Sequence, residues 1–184
     1  MLPQAGFGLL ALSAMVAGAV RPASAQGSAS TASIQATVLI DNTALIAAPL
    51  NDLDFGVVIP GTPTSVNPKT SAFAGKYVLH GTRNAEIQIG FVLPSVLRVG
   101  PWTMPISFAD DPVAGRMGCH RNQDQQNNCT RYTPTGPLVV RIRNGPPPQN
   151  TFYVWIGGTV SPAVGQQPGI YLGTVTMSAV YTGN

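Results

Sequence analysis

Apolar and polar residues alternate along residues 170–181, and this period of two predicts a long β-strand. One face of that strand would carry Tyr171, Val175, Met177, Ala179 and Tyr181. Upstream, residues 152–156 form an unbroken apolar and aromatic run, which is typical of a strand buried on both faces. Because the printed chain ends soon after Tyr181, we expect the last strand to need a neighbour that does not follow it in sequence.

Shorter apolar, often β-branched runs recur through the preceding chain, with Gly- and Pro-rich turns between them. They predict strands at residues 33–40, 44–50, 53–59, 75–80, 85–93, 102–108, 138–143 and 151–156. The cluster Gly81-Thr-Arg-Asn84 is typical of a hairpin turn. Since no segment after residue 25 shows a 3.6-residue period, the pattern predicts an all-β, two-sheet sandwich.

Residues 1–25 resemble a secretory signal. Residues 6–20 form an apolar run too short to span a bilayer, and Ala23-Ser24-Ala25 is a small-x-small cleavage site. We therefore expect export, a mature chain that begins at Gln26 and no transmembrane segment within it. A buried N-terminal helix is the alternative, although the glycines in this stretch would weaken it.

The composition fits an exported β protein. Charged residues make up 9% of the chain against a usual share of about 25%, whereas Gly and Pro number 20 and 17. The surface must therefore be built largely from uncharged polar residues and turns. The net charge is only +3 and no basic cluster occurs, which argues against a nucleic-acid partner.

Two cysteines, Cys119 and Cys129, are expected to form a disulfide in an exported protein. The segment between them contains no apolar residue, so we expect a solvated loop whose order depends on the bond more than folding does. A metal site formed with His120 is the alternative, but structural zinc usually requires four ligands.

Candidates for catalysis are few. His80, His120 and the scattered acidic residues form no nucleophile–base pattern, and the glycines form no phosphate-binding loop. Asp110-Asp111 could bind calcium, but a turn before Pro112 is the better interpretation. We therefore predict no catalytic residue, no metal site and no cofactor.

Several short motifs occur in an order that resembles the bacterial domain of unknown function 4402, which is similar to spore coat protein U-like domains and to archaic chaperone–usher pilins. The motifs are Leu53-Asp-Phe-Gly56, Gly75-Lys-Tyr-Val-Leu-His-Gly81, Ile156-Gly-Gly-Thr-Val160 and Gln167-Pro-Gly-x-Tyr-x-Gly-Thr-Val175. The chain departs from the coat-U-like pilins in having no cysteine before the first motif.

The resemblance implies an immunoglobulin-like sandwich, residues 43–184, that lacks its last strand. A chaperone strand, and then the N-terminal extension of another subunit, would fill the groove by β-strand addition. Residues 26–42 would be that extension, with donor side chains Ile34, Ala36, Val38 and Ile40. The predicted last strand, residues 170–181, would be the acceptor edge. The implied partners are copies of this chain or related subunits, a periplasmic chaperone and an outer-membrane usher, and the implied location is the periplasm and then the cell surface or the extracellular space.

Two alternatives remain open at this point. Residues 34–40 could be the ordinary first strand of a sandwich that is complete by itself. The protein could then be a secreted adhesion or carbohydrate-binding domain, in which Trp102, Tyr153 or Trp155 stacks on a sugar. The second possibility requires those aromatic rings to be exposed.

Overall fold

The strand predicted from the unbroken apolar run lies at the centre of the fold. A computed structural model describes residues 44–143 and 150–183, which all belong to one compact unit, Leu39–Asn184. These residues form twelve strands and one 3-10 helix: β1 Ile46–Asn51, β2 Thr64–Val66, β3 Gly75–His80, β4 Glu86–Val92, β5 Val96–Val99, β6 Trp102–Ser107, β7 Gly118–Arg121, η1 Gln126–Asn128, β8 Thr130–Tyr132, β9 Leu138–Arg141, β10 Thr151–Ile156, β11 Gly158–Val160 and β12 Thr176–Tyr181. The predicted all-β fold is confirmed.

The strands form three antiparallel sheets. A five-stranded sheet has the order β1-β3-β10-β7-β8, a four-stranded sheet β2-β11-β6-β5 and a three-stranded sheet β12-β4-β9. Strands β10 and β11 follow each other through Gly157, which lies so close to the Val66 carbonyl that a Cβ would be 2.1 Å from its oxygen. Only glycine fits there, and the chain crosses from the first sheet to the second at this point.

The core lies between the five-stranded and three-stranded sheets and extends under the four-stranded one. Leu79, Phe152 and Val154 of the first sheet pack against Ile87 and Ile89 of β4. Beyond them a second cluster contains Met104, Ile106, Phe108, Ile156 and Val160. Strand β10 is thus buried along nearly its whole length, as its apolar run predicted.

Three of the predicted elements differ from the observed structure. Residues 53–59 form no strand, because the Asp54 side chain accepts a hydrogen bond from the Gly56 amide (2.8 Å) and Gly56 has a φ of 61°. The predicted strand 170–181 is a strand only from Thr176. The turn at residues 81–84 does not close a hairpin, since β3 and β4 lie in different sheets.

The outer face of the five-stranded sheet carries a small core of its own. Cys119 and Cys129 form the predicted disulfide, with their Cα atoms 5.6 Å apart, and both are buried against Trp155. Gln126 in the enclosed loop donates hydrogen bonds to the carbonyls of Pro68 (2.9 Å) and Ser71 (2.7 Å). The loop is polar, as its sequence shows, but it covers a buried aromatic residue.

No helix among residues 44–143 and 150–183 is long and apolar enough to cross a membrane.

Candidate functional site

A groove of about 1320 Å³ runs along one side of the sandwich. One wall consists of the end of β1 and residues 52–58, and the other consists of residues 166–175. Core residues form the floor, among them Tyr77, Leu97, Met104, Ile106, Ile156 and Val160. The groove therefore lies over the second core cluster, whose Met104, Ile156 and Val160 side chains remain buried at its floor.

The strands beside this opening are the outermost strands of their sheets. Among the described elements β1 pairs only with β3, and β12 pairs only with β4. An outermost strand presents backbone amide and carbonyl groups that can pair with another strand. Pro49 is tolerated in β1 because a strand at the edge of a sheet does not need every amide as a donor.

Apolar side chains are unusually exposed along both walls. Of the residues that line the groove, Val57 is 98% exposed, Ile170 79% and Leu172 70%. By contrast, β10 is buried at all but one of its positions. Apolar residues that cluster beside an opening, rather than scatter singly, mark a surface that binds another chain or ligand.

The predicted acceptor residues divide between two parts of this side of the sandwich. Tyr171 and Val175 pack against the cluster under the groove, and both line it. Met177 and Ala179, in β12, instead pack against the core between the two facing sheets. The open groove therefore follows residues 166–175 rather than the whole predicted edge at residues 170–181.

The two edges converge at the far end of the sandwich. The Tyr181 hydroxyl accepts a hydrogen bond from the Thr82 amide (2.7 Å). The space above Gly81 is bounded by Leu45, just before β1, and by the Tyr181 hydroxyl at the end of β12. Leu45 and Tyr181 thus lie close together beside Gly81, whereas Asn51 and Thr174 line the groove.

The half-buried side chain of Tyr77 lies at the groove floor. The Tyr77 hydroxyl donates a hydrogen bond to the Val175 carbonyl (2.8 Å), which ties β3 to the segment that leads into β12. Burial, together with the nearby Asp52 carboxylate, raises the pKa of Tyr77. The phenol therefore keeps its proton and remains a donor at physiological pH.

The predicted donor residues, Ile34, Ala36, Val38 and Ile40, lie outside the described residues, as does the predicted signal at residues 1–25. Their assignment stays a prediction. As a strand, residues 34–40 would span about 20 Å.

The aromatic residues considered for sugar stacking lie in different environments. Trp155 is only 2% exposed beneath the disulfide loop. The Lys76 ammonium lies 5.2 Å from the centre of the Tyr153 ring, and it also forms an ion pair with Asp124 (2.7 Å). Trp102 is half exposed, but no second exposed ring among the described residues accompanies it. Trp155 is therefore shielded from any ligand, and Trp102 and Tyr153 lie in different strands, β6 and β10.

The Asp110-Asp111 pair forms the turn that the sequence predicted. The Asp111 carboxylate accepts hydrogen bonds from the amides of Val113 (2.8 Å) and Ala114 (2.6 Å), and these bonds lower its pKa. The Asp110 carboxylate binds the Thr133 hydroxyl instead (2.9 Å). The two side chains serve the local fold separately and do not converge on a common site.

No protein-family model matches this sequence, and no curated protein matches it either.

Proposed function

We propose that this protein is an exported, non-catalytic structural subunit that assembles into a surface fibre or coat by β-strand addition. Residues 26–42 of one copy would occupy the groove between β1 and residues 166–181 of another. The observation that carries the proposal is a groove that lies over the core, between walls that carry exposed apolar side chains and lead into outermost strands.

The chemistry of the groove suits an extended apolar segment. A donor strand would pair its backbone with β1 or β12 and place alternate side chains on the floor. Burying Ile34, Val38 and Ile40 there would contribute roughly 5–9 kcal/mol before the cost of ordering the segment. The same insertion would cover both strand edges, which removes a hazard of aggregation.

The sequence motifs support the same role. Leu53 and Phe55 of the first motif lie beneath the groove wall, and residues 167–175 of the last motif form the opposite wall. The resemblance to archaic chaperone–usher pilins suggests that a periplasmic chaperone occupies the groove before assembly and that an outer-membrane usher assembles the subunits. Export would begin with cleavage before Gln26.

The test is a substitution in the donor segment of the exported chain. Val38→Asp would place a charge in an apolar groove, and the desolvation cost should abolish polymers in size-exclusion chromatography. Gln35→Lys changes the opposite face of the same segment and should leave assembly intact. The Val38→Asp chain should still bind a peptide of residues 26–42, because its own groove is unchanged.

The main competing account is that residues 34–40 fill the groove of their own chain. In that case Val38→Asp would destabilise a monomer instead of dissolving a polymer, and the unmodified protein would be monomeric. Assembly of Val38→Asp to the same extent as the unmodified chain would contradict strand addition through this segment.

A further inference from the structure

A second cavity, of about 480 Å³, lies on the opposite side of the sandwich from the groove. It opens between β7, in the five-stranded sheet, and β9, the outermost strand of the three-stranded sheet. Nothing in the proposed strand addition uses this cavity. Its volume is within the range of about 300–1,000 Å³ that is typical of small-ligand sites.

Positive charge is concentrated in this cavity. Arg121, Arg141 and Arg143 line it, which is three of the ten cationic residues in the whole chain. No carboxylate is among the lining residues. The Glu86 carboxylate lies 3.7 Å from the Arg141 guanidinium and offsets part of its charge.

The cavity walls are held in place by hydrogen bonds that do not need a ligand. The Asn122 side chain donates to the Arg141 carbonyl (3.3 Å) and accepts from the Arg143 amide (3.0 Å), so it fastens the end of β9 to β7. Arg121 donates to the Asn128 carbonyl, and Arg141 donates to the Asn84 carbonyl (2.9 Å). The Arg143 guanidinium has no hydrogen-bond or ion-pair partner within residues 44–143 and 150–183, so it can bind an incoming anion.

The other lining groups are suited to hydroxyl-bearing ligands. The side chains of Gln123 and Thr130 make no hydrogen bond to the described part of the chain and face the same cavity as the arginines. The imidazole of His120 stacks on Phe152, with ring centres 5.4 Å apart, and forms a flat side to the cavity. Burial lowers the pKa of His120, so the ring is neutral near pH 7.

We propose that this cavity binds an acidic saccharide, whose carboxylate pairs with the arginines while its hydroxyl groups bind Gln123 and Thr130. A planar guanidinium is suited to a carboxylate because it can form two parallel hydrogen bonds to it. Amide and hydroxyl side chains beside it would select a sugar over a bare anion. The site would give a surface protein affinity for acidic polysaccharide, whether or not it assembles by strand addition.

The test is titration calorimetry of the purified exported chain at low ionic strength with three probes: a uronic-acid oligosaccharide, a neutral glucose oligosaccharide of the same length and inorganic phosphate. We expect the uronate to bind at least about tenfold more tightly than the neutral sugar, and high salt to weaken it. Arg143→Gln should reduce uronate affinity about tenfold or more without unfolding the protein, because the side chain is exposed and unpartnered.

Arg98→Gln is the matched control, since it removes an equal charge from an exposed position in β5 outside the cavity. It should leave uronate affinity unchanged. Equal affinity for the two oligosaccharides, tighter binding of phosphate than of the uronate, or equal losses in the two variants would each overturn the proposal.

Discussion

At the scale of single residues, one polar group in the core has no partner. The Tyr132 hydroxyl is buried and makes no hydrogen bond to the described residues, and burial raises the pKa of Tyr132 strongly. Its ring lies against the backbone of Gly118, where a Cβ would be 2.5 Å from the ring carbons. The ring therefore contributes to packing, whereas its unpaired hydroxyl lowers the free energy of unfolding.

Tyr132→Phe should accordingly raise the free energy of unfolding by about 1 kcal/mol, because it removes an unsatisfied donor and keeps the ring. Urea denaturation of the oxidised protein measures this. Tyr77→Phe is the matched control, since it removes a hydroxyl that is hydrogen-bonded to Val175 and should lower stability by about the same amount. Destabilisation by Tyr132→Phe would contradict the account.

His120 makes the stability of the protein depend on pH. Burial lowers its pKa in the folded protein, so between about pH 6.5 and that lower value the unfolded chain binds a proton that the folded chain does not. Stability should therefore fall as the pH drops below about 6.5, and His120→Gln should flatten this part of the profile. Midpoints of urea denaturation, measured at several pH values below and above about 6.5, give the slope of stability against pH. The control is His80→Gln, which changes the exposed histidine at the end of β3 and should leave the slope of stability against pH unchanged. Equal slopes for the His80→Gln and His120→Gln variants would contradict the assignment to His120.

At the scale of elements, the disulfide supports more of the structure than the polar loop that it closes. The composition of the enclosed segment led to the expectation that the bond matters more for the order of the loop than for folding. The structure places both cysteines in the cluster with Trp155, so loss of the bond also loosens the cover of an aromatic side chain.

Replacing both cysteines by serine should therefore lower stability by about 2–4 kcal/mol and expose Trp155. In a Trp102→Phe background, Trp155 is the remaining tryptophan, and its fluorescence should become accessible to a soluble quencher. Trp155 that stays shielded in a chain of nearly unchanged stability would show that the bond serves the loop alone.

Local patterns predicted strands well where neighbours from both sides enforce them. The apolar run of β10 and the alternation of β3 and β4 fixed their positions, because those strands are central in their sheets. The segment at residues 53–59 has the same alternation but forms a loop, since Gly56 and the Asp54 side chain make a turn that the pattern does not contain. Leu53 and Phe55 still pack inward from that loop. The prediction that these apolar side chains face the core was therefore correct, whereas the prediction of a strand was wrong.

The predicted last strand shows a second limit. Residues 170–181 alternate throughout, yet Leu172 pairs with Arg98 of β5 while residues from Thr176 pair with β4. The chain changes sheets near Gly173, where a Cβ would be 2.6 Å from Leu97. Alternation of apolar and polar residues predicts that a segment is extended. It does not predict which sheet the segment joins, because that depends on how distant segments are arranged in three dimensions.

At the scale of the whole molecule, the sandwich is open on two opposite sides with different chemistry. One side offers an apolar groove between outermost strands, and the other offers a cavity lined by arginines. The arginine-lined cavity had no signal in the sequence, because Arg121, at the end of β7, and Arg143, which follows β9, approach each other only in the folded protein.

The central claim is that residues 34–40 are ordered by another copy of the chain. Hydrogen exchange measured by mass spectrometry, on the purified chain separated by size into monomer and any polymer, tests it most directly. The account predicts that amides of residues 34–40, and those along β1 and residues 170–181, exchange rapidly in the monomer and become protected in the polymer. Equal protection of residues 34–40 in the two fractions would show instead that the segment is an ordinary strand of its own sandwich.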